Sequence, residues 1–328
     1  MILPSRGVKE YDRRIAAVGN YNIDMVVGRV ENLPTWGTEA TVPYLQVRPA
    51  GSAGYTAIAL ATVGVGVTCI GNVGEDSYGV FIRDELAARG ADVSGLLEAD
   101  GADTGQSVVI VRRDSERAFL SYNGHLAAFD EKCLMEAETA AVGFEQTEWV
   151  LLSGYFLLPG LGYEATKRAF TRWKAMGKRV AFDPGWDTEG WPQHTVDEVT
   201  KLLQFVDLFL PNEDEARALT QGSNPCSMAS TLRDAGAGIV AVKLGADGAY
   251  VLDGEERIHM PAIKTEAFDA TGAGDSFNAG VLTGLTKRWT WNRTLKFANT
   301  LAGIVVSRKA NRFPTLDEVY KKMKSQEE

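Results

Sequence analysis

Cysteine and histidine are scarce in this sequence. The 328 residues include three cysteines and three histidines. The cysteines form no C-x-x-C spacing, and no two histidines stand at a paired metal-binding spacing. These absences exclude a disulfide framework, a structural zinc site and a zinc hydrolase as interpretations of the chain. This cysteine usage is typical of a reducing compartment, so we expect a cytoplasmic protein.

Long apolar and long basic stretches are also missing. The longest apolar stretch, residues 150–162, is too short to span a bilayer and contains Pro159. The first residues, MILPSRGVKEYDRR, lack the apolar region of a secretory signal. The net charge is −9, which argues against nucleic acid or an anionic membrane surface as a partner.

Three common catalytic and nucleotide-binding signatures do not occur. The sequence contains no G-x-x-x-x-G-K-[ST] loop, no G-x-G-x-x-G fingerprint and no G-x-S-x-G elbow. A phosphate site of the P-loop kind, a dinucleotide site and a serine-hydrolase elbow are therefore excluded in their usual forms.

Strand-like runs alternate with helix-like patterns from about residue 67 onward. Amphipathic stretches between the runs, such as 80–90 and 163–177, predict helices. A repeated strand–helix–strand order implies a mainly parallel sheet with helices on both faces. Ligands bind such sheets beyond the carboxyl ends of the strands. The predicted strands are 67–73, 149–156, 179–184, 207–212 and 239–245.

Two segments, 38–49 and 105–124, interrupt this order. Both are rich in β-branched or alternating residues with no helix between strands, and a charged turn at 114–117 divides the second segment. We expect them to pair in a small antiparallel sheet. The predicted main domain comprises residues 1–32, 51–102 and 125–328, and the inserted sheet comprises residues 33–50 and 103–124.

In the segment FDATGAGDSFNAG, residues 268–280, glycine and alanine residues directly precede the acid Asp275. Gly272, Ala273 and Gly274 precede an apolar run with helical spacing, so they would lie at a helix N-terminus. Free N–H groups and the helix dipole favour an anion there. Asp275 would lie in the first turn, held ionised by the same field, where it could accept a proton. The alternative is that Asp275 is an N-cap and the glycines form an ordinary turn.

Six motifs in order along the chain resemble the signatures of the ribokinase-like, or PfkB, carbohydrate kinase family. The resemblance implies a doubly wound α/β fold with a small β-sheet lid. It also implies an ATP-dependent, magnesium-requiring kinase that phosphorylates a hydroxymethyl group of a small neutral sugar. The motifs are GNYNID (19–24), RPAGSAGYTAIALATVG (48–64), NVGEDSYG (72–79), PNEDEA (211–216), VKLGADGAY (242–250) and FDATGAGDSFNAG (268–280).

The resemblance gives each group of site residues an expected role. Asp275 is the base that accepts the proton of the acceptor hydroxyl, and the backbone of Gly272, Ala273 and Gly274 is the anion hole for the transferred phosphoryl group. The other expected residues are Asn22, Asp24, Gly51, Ser52 and Tyr55 for the acceptor, Asn212, Lys243, Gly245, Gly248 and Asn299 for the nucleotide, Glu215 for Mg²⁺ through water, and Asp269 with Thr271 for the K⁺ that many members bind.

The chain departs from the family pattern in its acceptor motifs. Tyr55 stands where the family carries a sugar-contacting Asn, and Ser52 stands where ribokinases proper carry Lys. Residues 153–156 are SGYF, where ribokinases proper carry a sugar-contacting Glu. These departures argue against ribose as the acceptor, though not against the chemistry. Ala310, where glycine is common, weakens the prediction of a potassium site.

Several site residues have simpler interpretations that the sequence leaves open. Asp24 could be a strand-end carboxylate that faces solvent. Asn212 and Glu215 could be a helix N-cap with a first-turn acid, because the letters NEDE satisfy that pattern too.

Two other functions also remain open at this level. A nucleoside kinase of the same family would stack its base on Tyr55 and Phe156. A non-catalytic sugar- or nucleotide-binding protein would not need a base, so the presence of Asp275 argues against that class.

The expected acceptor is uncharged. None of the predicted acceptor residues is cationic, and the nearest basic residues, Arg29 and Arg48, lie toward the lid in this interpretation. A phosphorylated sugar would bring close to two negative charges beside Asp24 and Asp275. The lid strands would also leave exposed edges that a second subunit could cover, so we expect a homodimer.

Overall fold

The computed structural model of the chain describes residues 14–113, 117–309 and 313–326. Within these residues it contains thirteen strands. They are β1 (Arg14–Gly19), β2 (Asn22–Val30), β3 (Tyr44–Ala50), β4 (Val67–Gly74), β5 (Asp92–Ala99), β6 (Gln106–Arg112), β7 (Arg117–Tyr122), β8 (Thr147–Ser153), β9 (Arg179–Asp183), β10 (Leu208–Phe209), β11 (Ile239–Lys243), β12 (Ala249–Asp253) and β13 (Glu256–Met260).

The described part of the chain also contains ten α-helices. They are α1 (Ser52–Thr62), α2 (Ser77–Ala87), α3 (Glu131–Ala140), α4 (Gly162–Ala175), α5 (Gln193–Leu202), α6 (Glu213–Thr220), α7 (Pro225–Asp234), α8 (Ala273–Thr286), α9 (Trp291–Ser307) and α10 (Leu316–Lys324). In these residues no helix is both long enough and apolar enough to cross a membrane.

Nine strands form one sheet in the order β13-β12-β11-β10-β9-β8-β1-β4-β5. The pairs from β5 to β11 are parallel, and β12 and β13 add an antiparallel edge. Helices connect the parallel strands, as that geometry requires. The prediction of a doubly wound, mainly parallel sheet is confirmed.

The central strand β1 shows why both faces of this sheet are covered. Ile15 and Ala17 belong to one apolar cluster, which includes residues of α1, α8 and α9. Ala16 and Val18 belong to the other cluster, which includes residues of α3, α4 and α5. All four side chains are fully buried. Successive strand residues face opposite sides, so a continuous apolar run can fill two helix-covered faces.

Four strands form a separate small sheet in the order β3-β2-β6-β7. The predicted segments 38–49 and 105–124 do contribute to one sheet, but β2 lies between their strands, and β2 pairs with β6 in parallel. The sequence-based prediction places residues 22–30 in the main domain. A run of buried apolar residues directly after β1 cannot by itself distinguish a new sheet from the old one.

The edges of the inserted sheet also differ from the prediction. Strand β3 begins at Tyr44 rather than near residue 38. The predicted charged turn at 114–117 falls mostly on 114–116, which lie outside the described residues. The division of the chain into a main domain and a lid remains a prediction.

The carboxyl ends of the parallel strands bring four polar or flexible positions to one edge. Gly19, Ser153, Asp183 and Lys243 are the last residues of β1, β8, β9 and β11. This is the edge at which parallel sheets bind ligands. The candidate site is built around it.

Candidate active site

Helix α8 begins at Ala273, with Gly272 as its N-cap. Gly272 has a φ of 79°, in the left-handed region that favours glycine. Asp275 is therefore the third helical residue, and the alternative in which it caps the helix is excluded. The N–H of Ala273 already donates to the carbonyl oxygen of Ala270 at 3.2 Å. An anion at this helix start would thus depend on the remaining N–H groups of the first turn.

Asp275 lies partly buried between other charged groups, and its side chain keeps some exposure to solvent. Loss of water around the carboxylate raises the pKa of Asp275 well above its ordinary value. The negative charge of Asp183 raises this pKa further, whereas Lys243 lowers it. The expectation that the helix field keeps Asp275 ionised leaves out burial and the neighbouring charge of Asp183. A raised pKa is typical of carboxylates that act as general bases.

Asp183 is a site residue that the sequence analysis missed. Its Oδ2 accepts a hydrogen bond from Lys243 Nζ at 2.8 Å and one from Asn278 Nδ2 at 2.5 Å. Lys243 Nζ also lies 3.7 Å from where a side chain on Gly274 would begin, so its charge stands beside the start of α8. A usable signal was present, because Asp183 ends a buried strand at the ligand-binding edge.

Asn212 and Glu215 form a complete capping box at the start of α6. The Glu215 carboxylate accepts from the Asn212 backbone N–H at 2.8 Å and from Asn212 Nδ2 at 2.7 Å. Burial raises the pKa of Glu215 to about 7, with Lys243 lowering it and Asp183 raising it. Asn212 and Glu215 therefore form the helix cap that the sequence also allowed. The magnesium role of Glu215 remains a prediction.

We call Asp183, Lys243, Glu215 and Asp275 the phosphoryl side of the site. Three carboxylates here share one lysine. Burial raises the pKa values of Glu215 and Asp275, the charge of Asp183 raises them further, and Lys243 lowers them. Yet no three acidic, histidine or cysteine side chains in the described residues converge to hold a metal by themselves. This arrangement fits Mg²⁺, which proteins usually bind through one or two carboxylates together with phosphate oxygens and water.

Two of the predicted nucleotide residues, Gly248 and Asn299, meet at the end of β13. Gly245 and Gly248 have φ values of 57° and 92°, and a Cβ on Gly248 would lie 2.0 Å from the Met260 carbonyl oxygen. Asn299 Nδ2 donates to that same carbonyl at 2.9 Å and to the Pro261 carbonyl at 3.0 Å. Gly248 and Asn299 thus fix the chain after β13, while Gly245 has open space beside it.

The start of β2 carries the predicted acceptor residues. Asn22 Nδ2 points to Asp24 Oδ1 at 3.5 Å, and Asn22 Oδ1 accepts from Asn20 Nδ2 at 3.0 Å. Asn20 Oδ1 in turn accepts the N–H of Ser52 at 3.1 Å. Gly51 has a φ of 94°, and a Cβ on it would lie 2.2 Å from the Asn20 carbonyl oxygen. Asn20, which the sequence analysis did not select, therefore ties β2 to the start of α1.

Tyr55 connects Asp24 to Arg48. The Tyr55 hydroxyl donates to Asp24 Oδ2 at 2.5 Å and accepts from Arg48 Nε at 2.9 Å. Asp24 is 5% exposed, so the solvent-facing alternative is excluded. Burial raises the pKa of Asp24 to about 6, although Tyr55 and Arg48 lower it. The expectation that no cation faces this pocket is wrong, because Arg48 points inward from β3 at an alternating position.

The residues predicted to bind potassium are held by two arginines. Arg48 Nη2 pairs with Asp269 Oδ2 at 2.9 Å, and Arg117 Nη1 donates to Thr271 Oγ1 at 3.3 Å. Burial would raise the pKa of Asp269, but Arg48 and the Thr271 N–H bring it below its ordinary value. Ala310, the third residue of that prediction, lies outside the described residues. We call Asn22, Asp24, Arg48, Tyr55 and Asp269 the acceptor side.

The aromatic pair that would receive a nucleoside base is not available in this geometry. Tyr55 is 4% exposed, with its hydroxyl engaged. Phe156 packs edge-on against Tyr155 and Trp191, with ring centroids 5.0 and 5.1 Å apart. The predicted stacking of a base between Tyr55 and Phe156 is therefore not supported.

An acid in the first turn of a helix, at the ligand edge of a parallel sheet and next to a second small sheet, is the arrangement expected of a small-molecule phosphotransferase. Residues 12–318 match the family described as pfkB family carbohydrate kinase. The chain therefore belongs to the pfkB family of carbohydrate kinases, which transfer a phosphoryl group to an alcohol group of a sugar.

Individual relatives agree with this family but differ in their named acceptors. The chain is 26% identical to a ribokinase from Haemophilus influenzae over 93% of its length and 97% of that protein. It is 28% identical to an ATP-dependent ribose-1-phosphate kinase from Halopiger xanaduensis over 93% of its length and 96% of that protein. The structure of an Arabidopsis thaliana ribokinase complexed with ribose and ATP superposes with a TM-score of 0.77, at 23% identity and over 95% of this chain and 98% of the other.

Proposed function

We propose that the protein transfers the γ-phosphoryl group of ATP to a hydroxymethyl group of a small neutral sugar. The observation that carries this proposal is the position of Asp275, the third residue of α8, directly after the left-handed Gly272. A carboxylate at this place can take a proton from an acceptor while the helix start stabilises the phosphoryl charge.

The chain's own groups account for each movement of charge in the transfer. The acceptor oxygen forms a bond to the γ-phosphorus while the bond from that phosphorus to the ADP oxygen breaks, and ADP leaves with the electron pair. The acceptor proton passes to Asp275 and then to water. First-turn N–H groups of α8, including that of Gly274, and the Lys243 ammonium stabilise charge on the transferred group.

The phosphoryl side supplies the groups for Mg²⁺ and the nucleotide in this proposal. Bound Mg²⁺ would neutralise phosphate charge, with Glu215 acting through water. The three carboxylates that share Lys243 support this role. Gly245, with open space beside it, and the turn to Gly248 would receive the nucleotide, close to Asn299.

The acceptor side is suited to an uncharged sugar because its arginines are already paired, and not because arginines are absent from it. Arg48 does reach this side, but Asp269 and Tyr55 already hold its guanidinium. Arg29 lies over the ring of Phe268 at 4.5 Å and donates to the Phe268 carbonyl oxygen. Each arginine thus already has a protein partner, although Arg48 Nη1 and Arg29 Nε have none among the described residues. We assign the acceptor hydroxyl groups to Asp24 and its amide neighbours.

A comparison of acceptors tests the proposal. We expect ATP-dependent turnover with at least one of fructose, ribose and 2-keto-3-deoxygluconate, measured as kcat/KM, and lower values for fructose 1-phosphate, fructose 6-phosphate and a nucleoside. A phosphorylated sugar that ranks first by tenfold or more would contradict the neutral acceptor. If the nucleoside gave the highest kcat/KM, the protein would instead be a nucleoside kinase of the same family. If none of these acceptors were phosphorylated, the proposed kinase activity would be contradicted.

We also propose that the protein is a cytoplasmic homodimer joined through the small sheet. Apolar side chains on β3 and β7 support this assembly, because Leu45, Phe119, Leu120 and Tyr122 are between 51% and 66% exposed. Both strands are sheet edges, which a second copy would cover. Sedimentation equilibrium should show a dimer that Leu120→Glu converts to monomer. The control Val142→Glu, at an exposed position outside the sheet, should leave the dimer intact.

The potassium ion predicted from the family resemblance is not part of this proposal. Asp269 and Thr271, its predicted ligands, already contact guanidinium groups. An oxygen set that is engaged with two fixed cations does not fit a third cation.

A further inference from the structure

Arg48 connects the small sheet to the turn that precedes α8. Its side chain extends from β3 and is 11% exposed, and its partner Asp269 is 2% exposed. The same guanidinium group donates to Tyr55, which holds Asp24. One buried cation therefore contacts Tyr55 on one side and the turn that precedes the anion hole on the other.

Asp269 determines the shape of that turn. Its Oδ1 accepts the N–H of Thr271 at 2.9 Å, one residue before the N-cap Gly272. The N–H groups of Phe268 and Asp269 both donate to the Val306 carbonyl oxygen, at 2.8 and 3.1 Å, which fixes the beginning of the turn. A buried carboxylate at this place needs a positive partner, since an unpaired one would be costly or would become protonated.

Two kinds of partner could supply that charge. A monovalent metal ion would need the oxygens of Asp269 and Thr271 for its own coordination. In this chain Arg48 Nη2 lies 2.9 Å from Asp269 Oδ2, and Arg117 Nη1 lies 3.3 Å from Thr271 Oγ1. The donor set is thus directed at fixed cations from two strands of the small sheet, and these cations would repel an additional ion.

We infer that Arg48 is a positioning residue of the anion hole, which supplies to Asp269 the charge that a potassium ion would otherwise supply. The inference rests on the proposed kinase function. It implies that catalysis proceeds without potassium, and that closing the small sheet over the acceptor completes the turn before α8. The positive charge that pairs with Asp269 is carried by Arg48 of the small sheet and is not taken from solution as an ion.

Activity in different salts gives the first test. The wild-type kcat should be the same within about twofold in potassium, sodium and tetramethylammonium chloride at matched ionic strength. Arg48→Met should lower kcat by about tenfold to a hundredfold in tetramethylammonium, through misplacement of the helix start. Potassium should restore this variant at least fivefold, because it can enter the space that the guanidinium left. Arg48→Lys should keep a cation in place and remain independent of potassium.

The matched control is Arg29→Met, which removes another arginine of the small sheet from the same turn but leaves Asp269 paired. Its activity, at whatever level, should not respond to potassium. A wild-type enzyme that gains fivefold or more from potassium would overturn the inference. So would an impaired Arg48→Met variant that potassium does not restore, because Arg48 would then have only a structural role.

Thermal melting gives a second readout that needs no turnover. Potassium, compared with tetramethylammonium, should raise the Tm of Arg48→Met and leave the wild-type Tm unchanged. This measurement keeps the inference separate from the proposed function. If no acceptor is phosphorylated, the kinase proposal fails, while the Tm response to potassium still decides whether Arg48 replaces the ion. If Arg48→Met does not fold, a potassium-independent Arg48→Lys supports the inference and a potassium-stimulated one overturns it.

Discussion

The phosphoryl side and the acceptor side of the site differ in the source of their positive charge. On the phosphoryl side three carboxylates share Lys243, and burial holds the pKa of Glu215 at about 7. On the acceptor side Arg48, from the small sheet, brings the pKa of Asp269 below its ordinary value despite burial, and it also lowers the pKa of Asp24, which burial still holds at about 6. The carboxylates of the phosphoryl side thus outnumber their one lysine, and a ligand is needed to balance them. On the acceptor side the balancing cation is Arg48, a residue of the chain itself.

This difference has a physical reason. A nucleotide binds together with a divalent cation, and that cation can balance the carboxylates whose pKa values are raised. A neutral acceptor brings no charge, so a carboxylate beside it must be neutralised by the protein. The following substitutions test this comparison, in order of expected effect.

Asp275→Asn should lower kcat by about 10²–10⁴, the usual range for loss of a general base. The amide keeps the size of the side chain but cannot accept the proton. KM for both substrates and ATP binding should change little. Steady-state kinetics together with an ATP titration will measure these effects. Asp317→Asn, in the exposed first turn of α10, is the charge-matched control and should behave as wild type. Near-normal kcat in Asp275→Asn would mean that another group takes the proton.

Lys243→Met should reduce kcat/KM for ATP by about 10²–10³, because the phosphoryl side loses its only lysine and an electrostatic contact to the transferred group. The pH profile should change in a defined direction. Lys243 lowers the pKa of Glu215 and of Asp275, so its loss should move the acid limb of kcat/KM toward higher pH.

The control for this variant is Lys174→Met, which removes an exposed lysine that pairs with Asp207. It should leave both kcat/KM and the pH profile unchanged. A Lys243→Met enzyme whose acid limb moves toward lower pH would contradict the charge balance described here.

Tyr55→Phe should raise KM for the acceptor by about ten- to a hundredfold, since a hydrogen bond to a charged group contributes about 1.5–3 kcal/mol. KM for ATP should stay the same, because the hydroxyl contacts only the acceptor side. Tyr163→Phe, on α4, is the matched control. Equal losses in the KM values of ATP and acceptor would show that Tyr55 supports the whole site and not the acceptor side alone.

The smallest expected effect is on stability, and its sign follows from the raised pKa of Asp275. Between the ordinary pKa of 3.8 and the raised one, the folded protein binds more protons than the unfolded protein, so stability falls as pH rises through that window. Asp275→Asn removes the ionisable group and therefore the fall in stability with rising pH. The variant should melt above wild type at pH 8, by a few degrees at most, because about 1 kcal/mol shifts Tm by roughly 2–4 °C in domains of about 150–250 residues.

The difference in Tm should disappear below about pH 3, where the Asp275 carboxyl is protonated in both states. Melting curves across this pH range will measure it. A variant that is less stable than wild type at pH 8 would show that the ionised Asp275 carboxylate stabilises the fold through contacts that a charge-based argument omits.

The local sequence determined those features that depend on neighbouring residues. Alternating strand-like and helix-like runs predict the parallel sheet, and the glycines before Asp275 predict a helix start with an acid in its first turn. The capping box of Asn212 and Glu215 was also readable, since its two residues are three positions apart.

Only the tertiary structure decided the contacts that join distant parts of the chain. Asp183 meets Lys243 and Asn278 because β9 and β11 end, and α8 begins, at one edge of the sheet, and the pKa values there depend on these contacts. Arg48 pairs with Asp269, 221 positions away, once β3 folds over the turn. Sequence spacing reports what lies along one helix or strand, whereas burial and charge balance depend on which elements face each other in space.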